Sequence, residues 1–325
     1  MVKAIVVRTP GAAEQMLYEE IALAGPGPGE VQVRHRAVGL NYIDVYFRSG
    51  AYPAPTSPFS PGNEAAGDVV AVGAGVSGFR PGDRVAYVSP GIGAYTEQRN
   101  VPASCLVKLP KDIDYDTAAG MMLKGLTAEY LLFRTYRVRK GDTILVHAAA
   151  GGVGLILCQW GRALGATVIG TVGSPDKAAL AKKHGAHHTI LYRQENFAEK
   201  VKEITKGALC PVVYDGVGKD TFALSLDCLS PFGTYVNFGS ASGPVAQFDI
   251  GILGKKGSLY ATRPTLFTHI ADRKRLDSMA RRLFSAVRRG DVTIPVTARY
   301  PLSEATAAHR ALEGRATTGS VIFTL

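Results

Sequence analysis

The residues best placed to do chemistry lie in one short stretch, Gly141 to Arg162 (GDTILVHAAAGGVGLILCQWGR). A β-type apolar run, Ile144–Val146, meets a turn of small residues holding Gly151, Gly152 and Gly154, and a helical apolar run continues without a break. Strand, tight turn and helix start in that order put unpaired backbone N–H groups and the positive end of a helix dipole beside residues small enough to admit a diphosphate. The spacing is A-x-G-x-x-G, with Ala149 where a dinucleotide fingerprint has its first glycine. Ala150, Gly151, Gly152 and Val153 are the expected phosphate contacts. Redox chemistry on a nicotinamide or flavin nucleotide is what they point to.

The next strand, TVIGTVGSPDK, selects the nucleotide. An NAD site ends this strand with an acid that bonds the ribose 2′-hydroxyl. Gly173 and Ser174 hold that place, and the nearest acid, Asp176, falls inside the following helix. Gly173 leaves room for a 2′-phosphate, Ser174 offers a donor and Lys177 a positive charge, so the expected cofactor is NADPH. Tyr192, after the third strand, is placed to bond or stack at the adenosine end. Later strand ends, Asp215-Gly216-Val217-Gly218 and Phe238-Gly239-Ser240, carry residues small enough to let a nicotinamide lie against the backbone.

The elements that must position these residues form two groups. Residues 1–124 read as short β runs (Ala4–Val7, Val31–Val38, Gly67–Val72, Arg84–Tyr87, Leu106–Leu109) separated by Pro/Gly turns. From Gly125 the pattern becomes strand–helix alternation, with strands at Thr143–His147, Thr167–Thr171, His188–Leu191, Val212–Tyr214, Thr234–Phe238 and Ser258–Ala261. That alternation predicts an α/β fold with a doubly wound parallel Rossmann sheet over 125–261. Residues 262–325 return to the irregular β-rich domain formed by 1–124.

Composition bounds the rest. The net charge of +10 admits an anionic ligand or a nucleic acid, and its densest cluster is Arg273–Arg289, where Leu276, Met279, Leu283 and Val287 recur at helical spacing. That pattern favours an amphipathic helix with a solvated outer face over an RNA site. Cys105, Cys158, Cys210 and Cys228 are far apart and have no zinc-site spacing, which suits a reducing compartment. The N-terminal apolar run is too short for a signal peptide, and His147, Gln159, Arg162 and the glycine turn break the longest apolar region, so a cytoplasmic protein without a membrane span is expected.

Three blocks of the chain resemble the medium-chain dehydrogenase/reductase superfamily, and within it the zinc-free NADPH:quinone oxidoreductases related to zeta-crystallin. They are GNEAAGDVVAVGAGVSGFRPGDRVA (Gly62–Ala86), the stretch from Gly141 to Arg162, and VVYDGVG (Val212–Gly218) with the later GSLYATRP. The resemblance implies a GroES-like fold for the β-rich domain, a substrate cleft between the two domains and a homodimer formed through Ser258–Ala261. It also implies cofactor contacts at Phe238, Ser240 and Arg315, beside Val217 and Gly239 expected from the strand-end turns, and a nicotinamide-side role for Thr127 at the start of the connecting helix. Asn41, Tyr46 and Tyr52, from NYIDVYFRSGAY, are the implied substrate-side residues.

Where zinc alcohol dehydrogenases place a cysteine, the histidine of Gly-His-Glu and a second cysteine, this chain holds Asn41, Asn63 and Lys124. The loop SPGIGAYTE lacks the cysteines of a structural zinc site. Neither metal is therefore expected. The chemistry left to such a site is metal-free hydride transfer to an acceptor that is already electrophilic: a quinone, or alternatively an enone or enoyl thioester. A second class, an RNA-binding or crystallin-like role, rests on the basic helix and on the resemblance. Glu64 and Asp44 are the candidate acids, and each reads equally well as a structural carboxylate.

Overall fold

A computed structural model describes residues 1–325. The chain divides into two compact units: residues 1–126, 270–288 and 294–325 form the first, and residues 127–269 with 289–293 the second.

The first unit is built on an antiparallel pair and a larger sheet that is antiparallel except at one edge, where the chain's last two strands run parallel. β1 (Val2–Val7) pairs with β2 (Met16–Ile21). A larger sheet runs β14 (Val296–Pro301), β15 (Ser320–Thr324), β3 (Glu30–Leu40), β4 (Glu64–Val72), β5 (Arg84–Val88) and β7 (Leu106–Lys108), and β6 (Gln98–Pro102) also pairs with β3. The C-terminal strand β15 lies antiparallel to β3 with Val321 opposite Leu40 and Phe323 opposite Val38. That pairing returns the tail to the first unit. The core gathers inward residues such as Ile5, Val33, Tyr87, Leu106 and Phe323, and Tyr95 meets Phe323 edge-on at 4.7 Å.

Two elements depart from the sequence reading. The aromatic segment after β3 is a helix, α1 (Tyr42–Ser49), ended by Gly50 in the left-handed region at φ 84°. Its buried face is made by Asp44, Val45 and Arg48. A helix that buries a carboxylate and a guanidinium shows no apolar stripe, so periodicity does not announce it. The second departure is α2 (Tyr115–Tyr130), which continues into a π-turn at Leu131–Thr135. Thr127 therefore lies in the last turn of this helix and not at its start.

The second unit is a six-stranded parallel sheet in the order β10 (His188–Leu191), β9 (Thr167–Val172), β8 (Thr143–Val146), β11 (Cys210–Asp215), β12 (Leu229–Asn237) and β13 (Tyr260–Thr262). The winding reverses between β8 and β11, so the chain leaves a crevice beyond the C-terminal ends of those two strands. Helices α3 (Gly152–Ala163), α4 (Pro175–Lys183), α5 (Phe197–Ile204), α6 (Phe222–Asp227), α7 (Gly251–Lys255) and α8 (Leu266–Ile270) succeed one another in chain order. In the first unit, α9 (Arg273–Arg289) and α10 (Ala305–Glu313) complete the set. α9 buries Leu276, Met279 and Leu283, and Gly125 of α2 admits Leu283, because a Cβ there would stand 2.6 Å from its methyl carbon. Arg273 pairs with Asp277, and Arg288 with Asp112.

Candidate active site

The turn after β8 is built from close backbone approaches. Ala148 is in the left-handed region at φ 51°, unusual for a residue with a side chain, and its carbonyl accepts the Gly151 N–H at 2.9 Å. Gly151 caps α3 in an extended conformation. A Cβ on Gly154 would stand 2.3 Å from the Ala148 oxygen, so only glycine lets the helix start this close to the turn. Ala149 occupies the first-glycine place because β9 supplies the missing space: a Cβ on Gly170 would lie 2.6 Å from the Ala149 methyl. The first-turn N–H groups of α3 have no partner within the helix and face the strand ends.

A buried polar network holds three strand ends in register. His147 reaches Thr171 Oγ1 at 2.8 Å through Nδ1 and Ser225 Oγ at 2.9 Å through Nε2. Burial lowers its pKa, with Asp215 opposing. The fully buried Asp215 accepts from the amides of Val217 (2.7 Å) and Gly218 (3.1 Å) and from the hydroxyls of Thr221 and Tyr235, both at 2.7 Å. This shapes the Gly216–Gly218 turn. The turn after β12 is laced to it: the Phe238 N–H donates to the Asp215 carbonyl and Ser242 Oγ to the Val217 carbonyl. Gly239 passes so near Gly216 that a Cβ would stand 2.6 Å from its oxygen. Val217, Phe238, Gly239 and Ser240 are thereby brought together.

At the end of β9, Ser174 caps α4, its Oγ accepting the Lys177 N–H at 3.4 Å. A Cβ on Gly173 would lie 3.3 Å from the Tyr192 hydroxyl and 3.6 Å from Arg193 Nε. Gly173, Ser174, Lys177 and Tyr192 therefore share one corner, and Arg193 joins them. Sequence reasoning misses Arg193; its signal is a second basic residue immediately past the third strand.

In the first unit, Tyr42, Tyr46 and Tyr52 form a ladder, with ring centroids 5.3 Å and then 4.9 Å apart. The Tyr52 N–H donates to the Tyr46 carbonyl at 3.0 Å. Burial raises the Tyr42 phenol pKa and Glu313 adds to this, while Arg315 and Arg48 oppose it. Arg315 itself comes after α10, in the left-handed region at φ 57°.

Asn41, which begins α1, donates from Nδ2 to Glu64 Oε1 at 2.7 Å. Lys124 Nζ donates to the same oxygen at 3.0 Å and to the Leu40 carbonyl at 3.1 Å. Glu64 Oε2 takes the Leu123 N–H at 2.6 Å. Glu64 is fully buried and Lys124 is 6% exposed. Gly39 makes the room, since a Cβ there would be 2.3 Å from Glu64 Oε1. Asp44 is equally buried; its Oδ2 accepts from the Asn41 N–H and the Tyr95 hydroxyl, both at 2.9 Å. Neither acid is open to solvent, and both hold neighbours in place. Asn63 gives its Nδ2 to the Ser89 carbonyl at 2.9 Å and leaves Oδ1 without a protein partner. An ammonium cannot ligate zinc, and two neutral amides are poor substitutes for its thiolate and imidazole donors, so the three side chains do not fit a zinc ion.

Known proteins share this two-unit architecture. Residues 27–143 match the family model for an alcohol dehydrogenase GroES-like domain, and residues 152–267 match that for a zinc-binding dehydrogenase. The chain is 53% identical to a quinone oxidoreductase of Pseudomonas aeruginosa over 323 residues, 99% of each protein. It is 46% identical to a 2-haloacrylate reductase of a Burkholderia species, again over 99% of each. The crystal structure of Escherichia coli quinone oxidoreductase complexed with NADPH superposes with a TM-score of 0.98 at 46% identity, covering 99% of this chain and all of that one. The chain belongs to the quinone oxidoreductase family of the medium-chain dehydrogenase/reductase superfamily.

Proposed function

We propose that the protein is an NADPH-dependent quinone oxidoreductase that transfers a hydride to a quinone without a metal. The observation that carries this is the Ala149–Gly154 turn, where the packing of Gly154 and Gly170 sets a helix N-terminus at the sheet's reversal point. Residues 125–261 serve as the dinucleotide-binding domain, and 1–124 with 262–325 as the substrate domain. Ala150, Gly151, Gly152 and Val153 hold the diphosphate, with Arg315 as a further phosphate contact. Gly173, Ser174, Lys177 and Tyr192 take the 2′-phosphate end, and Arg193 adds a second cation there. Val217, Phe238, Gly239 and Ser240 support the nicotinamide, and Thr127 borders it.

When bound, the reduced nicotinamide supplies the hydride. The chain's own task is to orient and to exclude water. The Tyr46–Tyr52 pair offers flat faces and hydroxyls to a planar acceptor, and Asn41 offers an amide. A second reading is favoured by the 2-haloacrylate reductase similarity: an activated alkene is also an electrophile that needs no metal.

Both readings are tested by NADPH consumption with 1,4-benzoquinone, 9,10-phenanthrenequinone, an alkenal and 2-chloroacrylate. Lys177→Ala and Arg193→Ala should each raise the KM for NADPH by about tenfold, one charge-assisted phosphate contact of about 1.4 kcal/mol, and leave the KM for NADH within about twofold. Equal effects on both dinucleotides would remove the 2′-phosphate role.

We also place the protein in the cytoplasm, in keeping with four free cysteines. No helix is long and apolar enough to cross a membrane. The basic helix α9 spends Arg273 and Arg288 on ion pairs, which favours a structural role over an RNA site. A homodimer through β13 is supported by that strand's position at the sheet edge with all three residues exposed, Tyr260 at 61%. Light scattering should return twice 34.4 kDa; a monomer mass would exclude this dimer.

A further inference from the structure

By the resemblance to the zinc alcohol dehydrogenases, the three positions that correspond to zinc ligands hold Asn41, Asn63 and Lys124. Two of these, Asn41 and Lys124, converge on one carboxylate, Glu64, which the chain buries completely. Glu64 is saturated by three donors: the Asn41 amide, the Lys124 ammonium and the Leu123 N–H. Lys124 is not. An ammonium carries three N–H donors, and the protein takes two of them, at Glu64 Oε1 and the Leu40 carbonyl. The third has no partner in the chain, and 8% of the side chain remains open. A buried lysine is thus held rigidly by two anchors with one donor left to give. Burying such a pair costs free energy that an apolar pair would not, so packing alone is a weak reason for its presence.

We infer that the Lys124 ammonium supplies the positive charge that zinc supplies in metal-dependent relatives, its third N–H donating to the carbonyl oxygen of the acceptor. This rests on the quinone reductase reading above. A C–H bond forms on the acceptor as hydride arrives from the reduced dinucleotide, which is oxidised to its pyridinium. A π bond of the conjugated acceptor breaks, and its electron pair moves onto the carbonyl oxygen. Lys124 keeps its proton and stabilises that oxyanion, which then takes a proton from water. Charge that develops in a site closed to solvent is where a fixed donor has its greatest effect. Glu64 is a positioning residue: it fixes the lysine and turns the Asn41 amide.

The single change Lys124→Met would strand the Glu64 carboxylate, so the test is the neutral pair Lys124→Met/Glu64→Gln. This double variant should keep its melting temperature within a few degrees and bind NADPH, followed by nicotinamide fluorescence, as tightly as the wild type. Its kcat/KM for 1,4-benzoquinone should fall on the order of 100-fold. A folded double variant that stays within about threefold of wild type overturns the inference. A cofactor-free readout is the ionisation of 4-nitrophenol, followed by its visible phenolate band. In wild type the bound probe should ionise about one pH unit below the free phenol, and the shift should vanish in the double variant. No binding, no shift in wild type, or equal shifts in both proteins would overturn the inference even if the double variant did not fold. A wild-type enzyme that binds NADPH yet reduces no quinone or alkene would instead remove the functional reading beneath it.

Discussion

Gly154→Ala should give a folded protein that binds NADPH on the order of 100-fold more weakly, corresponding to about 2.7 kcal/mol of lost binding free energy. The added methyl would lie 2.3 Å from the Ala148 carbonyl oxygen and 2.8 Å from the Ala149 Cα, both backbone atoms that cannot swing away. Relief requires α3 to slide outward along its axis or the turn to open. Either costs about 1–3 kcal/mol of stability, the usual scale for overpacking. Both movements carry the first-turn N–H groups away from where a diphosphate is held. Losing one or two charge-assisted hydrogen bonds at about 1.5–3 kcal/mol each accounts for the weakening. Gly254→Ala is the matched control, because a Cβ there meets nothing within 4 Å and the residue sits inside α7. It should leave NADPH binding unchanged and add up to about 1 kcal/mol of stability. Isothermal titration of both variants with NADPH, beside urea unfolding, separates the two effects. Equal NADPH affinity in both variants would show that the diphosphate does not depend on this close approach.

Every strand of the parallel sheet is legible in the sequence, because buried β runs between helices have few competing readings. The glycine turn is legible too, including its alanine, although the reason alanine is tolerated lies 21 residues away at Gly170, where no local pattern points. α1 is not legible as a helix, since Asp44 and Arg48 hold positions an apolar stripe would need. β2 and β6 are hidden for a related reason: β2 buries only Met16 and β6 only Val101, so alternation is weak. On the site side, Asn41 and Lys124 stand out in the sequence as departures from a metal pattern, but their convergence on Glu64 depends on β3, β4 and α2 meeting in space. Arg193 is invisible for the opposite reason, because a basic residue after a strand is ordinary until Gly173 is seen beside it.

The stability of the first unit should rise with pH between about 4.5 and 6.5, and three buried groups set the slope. Burial lowers the His309 pKa from the imidazole value to about 3, with Arg48 adding to the effect. It lowers His35 to about 4, where the bond to the Thr96 carbonyl opposes and Arg99 assists. Burial raises Asp44 to about 7, Glu64 adding to it, against the opposing bonds from the Asn41 N–H and Tyr95 and the nearby Lys124 charge. At pH 5 the unfolded chain binds a proton at each histidine and none at Asp44. The folded chain binds none at the histidines and one at Asp44. The unfolded state therefore holds one more proton, and stability climbs by about 1.4 kcal/mol per pH unit from these groups. Above pH 6.5 the histidines are neutral in both states. Asp44 then opposes further stabilisation until its proton leaves near pH 7, which puts the optimum close to neutrality. Tyr95 couples the groups, its hydroxyl lying 2.9 Å from Asp44 Oδ2 and 3.0 Å from His309 Nε2. Two substitutions should move the slope in opposite directions. His309→Gln removes one unfolded-state proton and should flatten it by about 1.4 kcal/mol per unit, whereas Asp44→Asn removes the folded-state proton and should steepen it by the same amount. Urea midpoints at half-unit pH steps measure both slopes, and a parallel response of the two variants would show that these groups do not titrate as their burial requires.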